Sequence, residues 1–225
     1  MIAPHPAPFN PALIRAIAQA LQPLINPTAA LATLDPFAGS GVVATLTKYL
    51  PNLLIYGTEI EDPWAAASGA AGLRIACGDA LTLPFPSAFF DLVVTSPTFG
   101  NRMADHHNAR DDSPRHTYRH TLGRPLHRNN SGQLQWGPAY REFHLNAWQE
   151  TRRVLKHGAP FVLDIKDHYR KGTRQYVTAW HIQTLTDLCF QPIQQANVNS
   201  PGQRHGQHGN LRLDFHTIAL FRYAP

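Results

Sequence analysis

A short apolar run that ends in a glycine-rich turn, and is followed by a helix-length segment and a second apolar run, leaves this chain few ways to fold. Leu31-Ala32-Thr33-Leu34-Asp35 reads as a strand that runs into Pro36-Phe37-Ala38-Gly39-Ser40-Gly41. Val42 to Leu50 then reads as a helix stopped by Pro51, and Leu53 to Glu59 as a second strand. The alternation continues. Pro63 to Ala71 is Ala-rich and helical, Leu73 to Asp79 is a third strand, and Phe90 to Thr95 is a fourth. Strands separated by helices pair side by side in parallel and need cover on both faces.

The flanks agree. Pro11 to Leu21 carries apolar residues at helical spacing behind Asn10, a good N-cap, with Pro11 in the first turn. Tyr140 to Leu155 returns to helical spacing, Pro160 to Ile165 is a fifth strand, and Val177 to Leu188 is a further helix. Two late strands follow, around Ile193 to Val198 and Phe215 to Tyr223. The expected fold class is α/β, a doubly wound, mostly parallel sheet of seven strands with helices on both faces. In such sheets ligands bind beyond the carboxyl ends of the strands. The Gly turn, Glu59, Asp79 and Ser96 all fall at such ends.

A chain of 225 residues suits one core. The reading is a single domain, residues 1–225, with a basic insertion at about 100–140. Seven arginines and three acids between Gly100 and Arg141 give that stretch +4 of the chain's formal +5, together with five of its 13 histidines. A basic segment beside a catalytic loop suits a phosphate-bearing polymer. Arg102, Arg110, Arg115 and Arg119 are the candidate phosphate contacts, and Tyr118 and Trp136 candidate wedges. Lys166, His168, Arg170, Lys171 and Arg174 follow the fifth strand and extend the basic rim. Cys77 and Cys189 show no metal-ligand spacing and read as reduced core or near-core thiols of a cytoplasmic protein. The histidines lack the companions of a metal site, so no metal is expected. Neither a secretory signal nor a membrane span is apparent.

Gly39-Ser40-Gly41-Val42-Val43-Ala44 is Gly-x-Gly-x-x-Ala between strand and helix, a turn of the kind that cradles a nucleotide-like cofactor. Glu59, about 20 residues on, can accept from ribose hydroxyls. These two features suit a nicotinamide dehydrogenase equally. Asp79, with the adjoining Ala80, tips the choice towards S-adenosylmethionine, because it can accept from the adenine amino group. Phe37 can cover the cofactor's apolar part. At the fourth strand's end, Ser96-Pro97-Thr98-Phe99 offers two acceptors and a flat ring, suited to a planar group that carries an amino nitrogen.

With these residues in hand, the chain resembles the DNA amino-methyltransferases that modify cytosine at N4 or adenine at N6. Asp35-Pro36-Phe37-Ala38-Gly39-Ser40-Gly41 resembles that family's cofactor motif, and Ser96-Pro97-Thr98-Phe99 its catalytic motif, Ser/Asp/Asn-Pro-Pro-Tyr/Phe. Phe9-Asn10-Pro11 resembles the element that closes over the cofactor's methionine end. The resemblance spans about residues 4 to 223. It implies a Rossmann-like methyltransferase sheet, S-adenosylmethionine as cofactor, duplex DNA with a flipped target base as partner, and a place in restriction-modification. Ser at the first catalytic position favours cytosine N4. Thr98 stands where the family has a second proline, which predicts a less constrained loop with the Pro97 carbonyl still in place. The small insertion permits a short target or a homodimer. Two alternatives stay open: an RNA base amino-methyltransferase, and a non-catalytic nucleic-acid-binding homologue.

Overall fold

The computed structural model describes residues 10–70, 73–101, 117–201 and 209–224. Asn10 caps the first helix, its side chain accepting from the Ala12 N–H at 2.9 Å. With Pro11 in the first turn, α1 (Pro11–Leu21) forms and buries Leu13, Ile14, Ile17, Ala18 and Leu21. There follow β1 (Leu31–Asp35), β2 (Leu53–Glu59), α2 (Asp62–Ala70), β3 (Arg74–Cys77), β4 (Leu92–Thr95), α3 (Tyr118–Leu122), α4 (Pro138–Val154), β5 (Pro160–Ile165), β6 (His168–Arg170), β7 (Thr173–Gln175), α5 (Val177–Asp187), β8 (Phe190–Asn199) and β9 (Phe215–Tyr223).

Seven strands make one sheet in the order β3-β2-β1-β4-β5-β9-β8. The first five run parallel, and β9 and β8 close the edge antiparallel. From β1 the chain winds outward through β2 and β3, then returns to lay β4 and β5 on the other side. That reversal opens a crevice beyond the carboxyl ends of β1 and β4.

Side chains alternate across the sheet, and each face carries its own core. Val93, Phe161, Leu163, Ala219 and Phe221 pack with Tyr140, Trp148, Val177 and Leu185 of α4 and α5. Leu92, Val94, Val162, Ile218 and Leu220 point the other way, onto Leu13, Ile17 and Leu21 of α1. The centre of the first core is Trp148, fully buried and edge-on to Phe161 at 5.6 Å. Truncating it to Ala costs about 3–5 kcal/mol.

Several expectations shift. Val42–Lys48 is a 3-10 segment rather than an α-helix. Thr45 and Thr47 donate their hydroxyls to the Val42 and Ala44 carbonyls, each at 2.8 Å, and β-branched residues crowd the turn. β3 stops at Cys77 because the chain turns at Asp79, whose Oδ1 accepts from the Leu81 N–H at 2.9 Å. β4 starts at Leu92, and Phe90 makes only an isolated bridge to Leu155. Both cysteines are exposed, not in or near the core. Cys77 ends the edge strand β3, and Cys189 occupies the turn between α5 and β8 with φ +67°. Neither α3 nor the β6–β7 hairpin was legible in the apolar pattern, since both are short and polar.

Candidate active site

One cavity occupies the crevice at the strand ends. The Gly turn supplies Asp35, Pro36, Phe37, Ala38, Gly39 and Ser40, the end of β2 Thr58, Glu59 and Ile60, and the turn after β3 Gly78, Asp79 and Ala80. Ser96, Pro97, Thr98 and Phe99 line the same cavity, with Asn101, Asp164, Ser200 and His216. The two motifs thus share one space.

The Gly-turn half is acidic. Asp35 is buried, its Oδ1 accepting from the Thr95 hydroxyl at 2.8 Å and the Phe37 N–H at 3.1 Å. Burial nevertheless raises its pKa to about 7, the two hydrogen bonds offsetting only part of the desolvation. Glu59 is likewise pushed up to about 7, first by burial and then by the charge of Glu61, against the help of the Glu61 N–H at 2.8 Å. Asp79 Oδ2 already accepts from Asn129 Nδ2 at 2.7 Å. An adenine edge there would meet an Asn129–Asp79 pair, not a bare carboxylate.

Not every expected residue reaches the cavity. Gly41 does not line it. Its φ of +77° and the Leu73 Cδ1 atom, 2.3 Å from where a Cβ would stand, show a residue that shapes the turn. Asn10 caps α1 and touches the site only through Ser200, whose Oγ accepts from its Nδ2 at 3.4 Å. Phe9, Arg102, Arg110 and Arg115 lie outside the described residues.

At the other half, Ser96 donates to Asp164 Oδ2 at 3.1 Å. His216 Nδ1 lies 2.9 Å from Asp164 Oδ1 and 3.1 Å from Oδ2, so that nitrogen carries the hydrogen. Serine and histidine therefore both donate to one buried carboxylate. This is not a hydrolase arrangement, in which histidine takes the serine proton. Here the serine keeps its hydrogen towards Asp164 and its lone pairs remain to accept. The Phe99 ring stands edge-on to His216 at 5.6 Å.

The Ser96–Phe99 loop is pinned by hydrogen bonds at Thr98, where the sequence predicted a less constrained one. The Thr98 hydroxyl donates to Ser131 Oγ at 2.8 Å, and its carbonyl accepts from the Tyr140 hydroxyl at 2.6 Å. Behind Tyr140 runs a chain of defined direction. The Trp148 indole can only donate, so its bond to His181 Nδ1 at 3.0 Å places the His181 hydrogen on Nε2. Nε2–H then donates to the Tyr140 oxygen at 2.9 Å, which frees the phenol hydrogen for Thr98. Burial lowers the His181 pKa well below its usual value, so the ring stays neutral.

The described part of the insertion also departs from expectation. Tyr118 is buried edge-on against Trp64 at 5.3 Å and walls the cavity, so it cannot wedge outward into a duplex. Arg124 pairs with Glu61 at 3.0 Å and Asp62 at 2.5 Å. Asn130 Nδ2 and the His127 N–H both donate to Glu61 Oε1 at 2.8 Å. These bonds hold the segment whose Asn129, Asn130 and Ser131 wall the cavity. Arg119 is exposed and apart from the cavity lining. Sequence reasoning missed Asp164, His216, Glu61, Ser200 and the Asn129–Ser131 wall. Only Asp164 left a sign, as an acid inside an otherwise apolar strand.

Among the described residues no group of three or more His, Cys, Asp or Glu could hold a metal ion, and no helix is long and apolar enough to cross a membrane. No family model and no curated protein matches the chain. Solved structures do. An S-adenosylmethionine-dependent methyltransferase from Methanosarcina mazei is similar at 12% identity, covering 97% of this chain and 99% of its own, with TM-score 0.60. The [4+2]-cyclase SpnF is similar at 14% identity, 97% and 84% coverage, and TM-score 0.61. The 1,6-didemethyltoxoflavin-N1-methyltransferase of Burkholderia thailandensis, solved with S-adenosylhomocysteine, is similar at 13% identity, 96% and 79% coverage, and TM-score 0.53. The shared property is the Rossmann-like methyltransferase fold, and the cyclase shows that this fold alone does not name a reaction.

Proposed function

We propose that the chain is an S-adenosylmethionine-dependent methyltransferase acting on the exocyclic amino group of a base in DNA, with cytosine N4 favoured over adenine N6. The observation that carries the proposal is Ser96, fixed as an acceptor by Asp164 in the cavity that also contains the acidic Gly turn.

The cofactor half argues for a cation. A nicotinamide dinucleotide brings a pyrophosphate, which wants an α-helix N-terminus. Here a 3-10 segment follows the turn, and Asp35, Glu59 and Asp79 face the space. Two buried acids with raised pKa values are a poor seat for an anion and a good one for a sulfonium and an ammonium group. In this reading Gly39 and Ser40 give close backbone approach, Glu59 takes the ribose hydroxyls, and Asp79 with Ala80 meets the adenine edge. Phe37 covers the apolar middle, while Asn10 acts through Ser200. S-adenosylmethionine supplies an electrophilic methyl group and leaves a neutral thioether.

The chain's own residues prepare the nucleophile. A base amino nitrogen is weak because its lone pair is delocalised into the ring. The Ser96 Oγ and the Pro97 carbonyl accept its two hydrogens and hold the lone pair out of the ring plane. Phe99 confines the ring, and Tyr140 fixes the loop from behind. Such placement is worth up to roughly 7–11 kcal/mol of barrier. A proton released from the nitrogen finds Ser96 and Asp164 as its first acceptors. A base within a duplex must first be flipped, at about a few kcal/mol.

The test is transfer of labelled methyl groups to duplex DNA, single-stranded DNA and tRNA, followed by digestion. N4-methylcytosine from DNA is expected. Label in tRNA alone moves the substrate to RNA. Cofactor binding without label in any of the three marks a non-catalytic homologue.

A further inference from the structure

The eight residues between Asp167 and Tyr176 build a feature that the fold itself does not require. β6 and β7 pair antiparallel around Lys171 and Gly172, whose φ values of +49° and +77° make a tight hairpin turn. Two strands of three residues are marginal alone. This pair is clamped by Asp167, buried and ending the segment after β5. Its Oδ1 accepts from the Thr178 N–H at the start of α5 at 2.7 Å, and its Oδ2 from Arg174 Nε at 2.9 Å. The hairpin is thus held while its tip, Arg170-Lys171-Gly172, is exposed.

Its position follows from topology. In parallel βαβ units the end of each strand and the start of the next helix share one rim. Asp164, which lines the cavity, lies three residues before Asp167, about 10 Å of extended chain. On the same rim the backbone N–H of Trp136 donates to the Gly100 carbonyl at 3.0 Å, just beyond the Ser96–Phe99 loop. The Trp136 ring lies 5.9 Å from Trp180, which stands in the first turn of α5, one turn from Tyr176 at the helix N-cap. A continuous rim therefore runs from the catalytic loop to the hairpin. It carries two cation–aromatic pairs, Arg141 over Trp136 at 5.1 Å and Arg174 over Tyr176 at 5.3 Å. Tyr176 is 60% exposed, far more than a packing role needs. Asp167, the acid between them, is neutralised by Arg174.

We infer that the β6–β7 hairpin and the Trp136–Arg141 pair form the contact surface for the nucleic-acid backbone whose base enters the cavity, an inference that rests on the proposed base methyltransferase. Lys171 and Arg170 meet phosphates a few nucleotide steps of about 3.4 Å from the extruded base. The exposed Tyr176 ring offers a face to a base beside the extruded one. This places the recognition surface apart from Arg124, whose charge is spent on Glu61 and Asp62.

The test measures binding of labelled duplex DNA of mixed sequence to the full chain, with S-adenosylhomocysteine present, from about 50 to 300 mM KCl. Replacing both tip cations, Arg170→Ala with Lys171→Ala, should lower the log K against log salt slope by about two and weaken binding at least ~tenfold near 150 mM. Tyr176→Ala should weaken binding about tenfold with the slope unchanged. S-adenosylhomocysteine affinity, measured by calorimetry, should stay at the wild-type value in all variants, because none touches the cofactor half. If the tip variant keeps wild-type DNA affinity and slope, the surface is wrong and the methyltransferase reading stands. If wild type binds the cofactor product but no DNA at any salt, the DNA reading itself fails.

Discussion

Ser96 gives its hydroxyl hydrogen to Asp164 across 3.1 Å, so it faces the cavity as an acceptor. The bond joins the end of β4 to the middle of the rim. It rests on the parallel register of β4 and β5, which sets Thr95 opposite Leu163, while the antiparallel register of β5 and β9 sets Asp164 opposite Ile218 and brings His216 onto the same carboxylate. Removing the acceptor in Ser96→Ala should cut turnover about 10²–10³-fold, the scale of one lost transition-state hydrogen bond. Asp164→Asn should also be severe, because an amide nitrogen facing Ser96 can donate and reverse the serine's polarity. Cofactor affinity should be unchanged in both, as read by calorimetry.

The proposed roles of Asp35 and Glu59 predict that cofactor binding depends on pH. Their folded pKa values of about 7 exceed the ordinary 3.8 and 4.5. The folded apoprotein therefore holds these protons more tightly than the unfolded chain. Their contribution to stability is full below about pH 4 and is lost as pH rises through about 7. Apo Tm should fall between pH 5 and 8, while the Tm increase given by S-adenosylhomocysteine grows. Glu59→Gln should flatten much of the apo slope and weaken ligand binding. A ligand shift that shrinks with rising pH would refute the cationic seat.

Tyr140 acts on the loop through a hydrogen bond rather than through substrate. Tyr140→Phe leaves the His181 Nε2–H and the Thr98 carbonyl short of a partner in a buried site, at a cost of about 1–3 kcal/mol of stability. It should also lower kcat while leaving the KM for cofactor near wild type. Thermal denaturation and steady-state kinetics separate the two effects. An unchanged kcat with lowered Tm would reduce Tyr140 to core packing.

The Thr98 side chain contributes one hydrogen bond that a proline at this position would lack, from its hydroxyl to Ser131 Oγ. Thr98→Val keeps the shape but loses the Ser131 bond, and turnover should fall about tenfold. Thr98→Pro loses the same bond but fixes φ near −65°, so it should match or exceed wild type. If Pro is worse than Val in a folded protein, the loop geometry differs from the one argued here.

How much of this was legible varied with how local each cause is. α1, β1, β2, β5 and β9 could be bounded from sequence because a cap, a Gly turn or an unbroken apolar run marks them. The Gly turn and Ser96-Pro97-Thr98-Phe99 were legible for the same reason, each being contiguous. The Ser96–Asp164–His216 cluster was not, since Ser96 and His216 lie 68 and 52 residues from Asp164 and meet it only through strand pairing. Tyr118 read as a wedge because its neighbours are basic. Its burial depends on Trp64 and Gly132, where an added Cβ would stand 2.7 Å from the tyrosine ring. The β6–β7 hairpin is too short and polar for periodicity, although Lys171-Gly172 marks its turn.

The most direct measurement is the amount of N4-methylcytosine in digested duplex DNA after incubation with S-adenosylmethionine, for wild type and Ser96→Ala at matched cofactor occupancy. The account predicts the modified nucleoside with wild type and its near-complete loss in the variant. Equal product from both proteins, or saturable cofactor binding with no methylated base from any nucleic acid, would contradict it.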